Sequence, residues 1–129
     1  MPPELTCLMI LALWSLVLNH LPAIARIAKG GVAWGLGNRE SLPETASWVG
    51  RADRAQRNHH DNLPLIAIVL ITAVVTGQRD QVTQIAALVI LIARLAHGLF
   101  YLAGIGLLRS GAYAISIAAL LTVVWRLWT

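Results

Sequence analysis

The chain has 129 residues, of which 57% are hydrophobic and 12% charged, where a soluble domain carries about 25% charge. With a mean hydropathy of +0.69 and several long apolar runs, it reads as an integral membrane protein of one domain, without room for a large soluble module. The net charge of +4 fits basic membrane loops rather than nucleic acid, because no aromatic residues interleave with the basic ones. The single cysteine, Cys7, excludes an intrachain disulfide and reads as a small buried hydrophobe.

The first apolar run, 5–24, has the ~20 residues a bilayer crossing requires. A cleavable leader is the competing reading, since Ala23-Ile24-Ala25 has the small-x-small look of a cleavage site. Against it, the start of the chain carries Glu4 and no basic residue. Residues 25–50 read as a loop with Arg26, Lys29 and several glycines, anchored at the interface by Trp34 and Trp48. Gly35-x-Gly37 lacks the third glycine and preceding strand of a phosphate cradle.

A second helix is expected over 47–76, with Ser47 as N-cap. Its apolar part, 63–76, spans only about 21 Å, so the polar residues before it complete the crossing. Pro64 is placed to kink it. Gly77-Gln78-Arg79-Asp80 reads as a tight turn into a third helix over 81–102, and a fourth is expected over 110–128, ending in Trp125, Arg126 and Trp128. The expected architecture is all-α, a bundle of four transmembrane helices. Six basic residues lie between 25 and 62, one near 79 and one at 109. The positive-inside rule then puts the first and third loops in the cytoplasm and both termini outside, in the inner membrane if the cell is prokaryotic.

Polar residues concentrate before and inside the second and third helices. Arg54, Arg57, Asn58 and Asp61 fall at i, i+3, i+4 and i+7 and share one face. Arg94, His97 and Tyr101 share a face of the third helix. A mid-span arginine is expensive and normally faces the bundle interior and pairs. For Arg94 a structural ion pair and a catalytic role are both open. A hairpin turning at residue 79 sets Asp61 level with His97 and Arg57 level with Tyr101, which makes Asp61 the counter-ion for Arg94. Arg54, Arg57 and Arg109 then form a cationic pocket, with Asn58, Tyr101 and Tyr113 as hydrogen-bonding groups. Arginine forks suit a small multi-carboxylate ligand, and an arginine holds a thiolate in its ionised form. The apolar cleft between helices admits a lipophilic second substrate from membrane lipid. His59 and His60 are adjacent, about 100° apart on a helix, and so cannot chelate a metal together. Both read as exposed at the interface, and no metal site is expected.

These residues resemble the MAPEG superfamily, the membrane-associated proteins in eicosanoid and glutathione metabolism, and its bacterial branch in particular. The match is Arg54-x-x-Arg57-Asn58-x-x-Asp61-x-x-Pro64, Arg94-x-x-His97-x-x-x-Tyr101 and Arg109-Ser110-x-x-Tyr113, which with the four-helix plan covers nearly the whole chain. The resemblance implies a homotrimer with glutathione bound between subunits near the cytoplasmic side. It assigns thiolate stabilisation to Arg109 with help from Ser110, and glutathione contacts to Arg57, Asn58, Asp61, His97, Tyr101 and Tyr113. It places Arg54 and Arg94 nearby and makes Arg26 a further carboxylate-binding arginine. The helix-two acid is usually glutamate in the family, one methylene longer than Asp61.

Three function classes follow. The first is a glutathione-dependent transferase or peroxidase acting on lipophilic electrophiles. The second is a non-catalytic lipid-binding or scaffold protein on the same fold. The third is a small four-helix transporter, which needs an embedded carboxylate in the first helix, whereas Glu4 precedes the expected span.

Overall fold

The computed structural model describes residues 1–129. Four helices follow one another: α1 (Pro3–Leu36), α2 (Ser47–Val75), α3 (Gln81–Ala103) and α4 (Gly106–Trp128). All four are long and apolar enough to cross a membrane, so the chain is a multi-pass membrane protein. α3 is the most buried of the four. Leu11 of α1, Leu70 of α2, Ile90 of α3 and Val123 of α4 meet in the core. Lipid is as apolar as these side chains, so close packing rather than water exclusion holds the helices together. Gly98 of α3 provides one close approach, because a Cβ there would lie 3.0 Å from the Trp14 ring of α1.

Two helices are longer than the residues alone suggested. α1 continues through the region expected to be loop, since Ala25-Arg26-Ile27-Ala28-Lys29 contains no helix breaker. The helical path breaks at Gly31, whose φ of 85° favours glycine. α4 begins at Gly106 rather than near residue 110, directly after Gly104 ends α3 in the left-handed conformation.

The two ends of the hairpin helices carry different chemistry. At the Gly77 end, Asp80 caps α3: its side chain accepts the Thr83 N–H at 3.0 Å, while Thr83 Oγ1 accepts the Asp80 N–H at 3.0 Å. Asp80 also pairs with Arg126 of α4. The Thr83 N–H, and secondarily Arg126, hold the Asp80 carboxyl below the usual carboxylate range. Glu4 lies inside the first turn of α1 instead of preceding the span. It is fully buried, with Oε1 3.2 Å from the Thr83 hydroxyl.

The other end ties α1 to α2. Arg26 donates two hydrogen bonds to Asp53, and Gln56 donates to Asn19 at 2.7 Å. His59 corrects an expectation. It is 1% exposed and its Nε2 donates to the Leu11 carbonyl at 3.0 Å, while His60 beside it faces out. A separation of 100° puts one ring in the bundle and the other outside it.

Candidate functional site: a polar cavity between α2, α3 and α4

Helix geometry divides the α2 stripe. Arg54, Arg57 and Asp61 are exposed on the outer face, while Asn58, turned toward α3, is half-buried. Arg94 reaches Asn58 from α3. Its Nη2 donates to Asn58 Oδ1 at 2.9 Å and to the Asn58 carbonyl at 3.3 Å. Seven residues earlier on α2, Arg51 Nε donates to the Leu102 carbonyl of α3 at 2.9 Å. These contacts fix the register, and it differs from a hairpin turning at residue 79. Asn58, not Asp61, is level with Arg94. The two contacts shift α3 by about one turn along α2 from the position that a turn at residue 79 would give.

The expected Asp61–Arg94 ion pair is therefore absent within the chain. The only two acid–arginine pairs are Arg26–Asp53 and Arg126–Asp80. Arg94 is 1% exposed and keeps Nε and Nη1 without a partner. A buried guanidinium in that state is short of acceptors.

One turn further along α3, His97 Nδ1 donates to the Arg109 carbonyl at 3.0 Å. A carbonyl only accepts, so Nδ1 carries the hydrogen and the neutral ring presents Nε2 as an acceptor. That Nε2 is buried and unpartnered. The His97 ring stands edge-on to Tyr101 at 5.5 Å and lies 5.9 Å from the Tyr113 ring. Arg109, on the first turn of α4, rests its guanidinium carbon 4.7 Å over the Tyr101 ring, a cation–π contact that fixes the side chain.

These residues enclose a cavity of about 240 Å³ lined by Asn58, His97, Tyr101, Arg109, Ser110 and Tyr113. A second hollow, about 100 Å³, adjoins it, with Arg51, Arg54, Tyr101 and Arg109 among its walls. Tyr101 and Arg109 belong to both. The fold thus gathers most of the expected site residues. It leaves Arg57 and Asp61 on the outer face and engages Arg26 with Asp53.

Arg51 and Asp53 were not among the expected site residues. A signal for Arg51 was available, because Arg51, Arg54 and Asn58 stand at i, i+3 and i+7 and extend the stripe one turn backward. Asp53 sits off that face, and nothing in its spacing points to Arg26.

Chemically, the cavity offers a cation beside a hydroxyl and two phenols, and a neutral imidazole acceptor, while the Arg94 guanidinium lies behind Asn58 and outside its lining. Its positive charge and hydrogen-bond donors suit an anion, with Arg109 and Ser110 side by side where a negative charge would be balanced. Neither a curated protein nor a solved structure matches the chain significantly. The sequence model of the MAPEG family matches it over residues 5–129, nearly its whole length and all the residues of the cavity, and the chain belongs to the MAPEG family.

Proposed function

We propose that the protein is a glutathione-dependent membrane enzyme, a transferase or peroxidase that turns a thiolate on a lipophilic electrophile. Membership of the family supports a membrane function related to glutathione or eicosanoid chemistry. The observation that carries the finer reading is the meeting of Arg109, Ser110 and Tyr101 in one cavity with Asn58 and His97. The unpartnered Nε2 of His97, on the wall of the cavity, fits an amide or ammonium donor of the ligand.

Glutathione supplies the nucleophilic sulfur. Arg54 and Arg57 take its carboxylates as bidentate forks, with Asn58, Tyr101 and Tyr113 as neutral contacts and His97 as acceptor. Arg109 holds the sulfur ionised by proximity of its charge, and Ser110 donates a hydrogen bond to it. The thiol proton leaves to water at the mouth. The lipophilic substrate arrives from the bilayer.

Exposure supports an assembly. Arg54, Arg57 and Asp61 lie on the outer face of a membrane-crossing helix, where charge facing lipid is expensive. A homotrimer covers that face with a second copy, and Asp61 and Arg57 then border the glutathione site from the subunit boundary. Arg26 stays with Asp53 and supports α2. The distribution of basic residues supports a cavity mouth on the cytoplasmic side and termini outside.

The test is thiolate absorbance on mixing the purified protein with glutathione, followed by turnover of a generic electrophile. Wild type is expected to show both. Arg109→Ala is expected to lose the thiolate band and about 10²–10³-fold in turnover while remaining folded. No thiolate and no turnover at millimolar glutathione would overturn the enzyme reading. The non-catalytic lipid-binding alternative draws on the apolar groove between α3 and α4, and lipid copurification without thiol chemistry would favour it.

A further inference from the structure

The opposite flank of the α3–α4 contact carries a groove of about 520 Å³ that is almost wholly apolar. Its floor is made by small residues, Ala93 and Ala96 on α3 and Gly111 and Ala112 on α4. Larger side chains such as Ile92 and Ile115 form its rims and are exposed. From Val89 to Phe100 it runs about 16 Å along α3. That is about half of a ~30 Å hydrocarbon core, the depth of one leaflet.

At Phe100 the groove meets the hollow that holds Arg51, Arg54 and Arg109. No carboxylate neutralises these three cations, since the chain's two acid–arginine pairs lie elsewhere. Arg51 lies across Gly104, with its Nε held by the Leu102 carbonyl and its Nη1 3.4 Å from Ser47 Oγ. Its Nη2 makes no hydrogen bond within the chain. An apolar slot one leaflet deep, opening onto unneutralised arginines, has the profile of a phospholipid.

We infer that groove and hollow together form a site for an anionic phospholipid, with one acyl chain along α3 and α4 and the phosphate against Arg51 and Arg54. Guanidinium forks match phosphate oxygens in pairs, and basic residues near a membrane surface attract anionic lipid. Arg54 is shared with the glutathione site proposed above, so the lipid is tested without glutathione, where the site stands whether or not the protein is an enzyme.

Native mass spectrometry of the full chain, titrated with phosphatidylglycerol and with phosphatidylcholine of the same acyl chains, tests it. Wild type is expected to favour phosphatidylglycerol by about thirtyfold, the effect of two arginines at a lipid surface. Arg51→Gln is expected to shrink that preference while keeping chain-dependent binding. Gly111→Leu puts a branched side chain into the groove from a position where the Cβ itself meets open space, and is expected to weaken both lipids. Equal binding of the two lipids by wild type overturns the inference. So does Gly111→Leu binding both lipids like wild type, or changing the oligomeric state instead of lipid binding, which would put a second copy in the groove.

Discussion

At the Gly77 end of the bundle, Asp80 caps α3 and takes Arg126, and buried Glu4 meets Thr83. At the other end, Arg51, Arg54, Arg57 and Arg109 have no carboxylate partner, and Arg94 has only Asn58. The first end uses its polar groups on one another, which stabilises helix starts and helix contacts. Apart from the Arg26–Asp53 pair that ties α1 to α2, the second holds its cations apart from acids and leaves buried donors open, an arrangement that opposes stability until an anion arrives. The difference separates scaffold from binding site without reference to the apolar core, which runs through both.

The comparison breaks most sharply at Asn58. Asn58→Ala removes the only side-chain acceptor of the Arg94 guanidinium, leaving it the residue-58 backbone carbonyl alone, and is expected to destabilise the fold by about 1–3 kcal/mol, read by thermal unfolding in detergent. It should also weaken glutathione binding. Thr83→Val strands the Asp80 N–H and leaves Glu4 without its hydroxyl, and about 1–2 kcal/mol is expected, with thiolate formation untouched. Glutathione sharpens the contrast. At about 100 times its Kd a ligand stabilises by about 2.7 kcal/mol, so saturating glutathione should raise the Tm of wild type and Thr83→Val alike, and that of Asn58→Ala less at the same concentration. A Thr83→Val protein with lost thiolate chemistry would show that the two ends are not separable.

The smallest effect is expected from Asp80→Asn, read as Tm against pH. The folded carboxyl titrates below its usual range. Its contribution is therefore present above the unfolded value, about 4, and lost as pH falls through the lower folded value. Wild type and Asp80→Asn should differ by a constant few degrees near neutral pH and converge below about pH 4. A difference that grows on acidification would contradict the assignment.

The four crossings and most of the cavity were legible in the sequence because length and apolarity set the spans and helical spacing sets the faces. Asn58, His97, Tyr101, Arg109, Ser110 and Tyr113 were all singled out and do meet. The partner of Arg94 was not legible. It depends on how far residues 77–80 travel along the bundle axis, and a slip of about one turn exchanges Asp61 for Asn58. The burial of His59 depends on which of two neighbouring rings turns toward α1, a choice the His59-His60 pair itself does not encode. The groove had a readable sign, the small residues Ala93 and Ala96 three apart on α3. Its depth required the facing Gly111 and Ala112.

Glu4 and Thr83 make contact across 79 positions of sequence, with α2 made between them. Helices of a membrane protein insert first and dock afterwards. α1 enters the bilayer before Thr83 has been synthesised, so its carboxylate waits at the membrane surface through the making of two further segments. The burial of Glu4 therefore belongs to docking and not to insertion. It marks the moment at which α1 stops being an independent span and becomes part of the bundle.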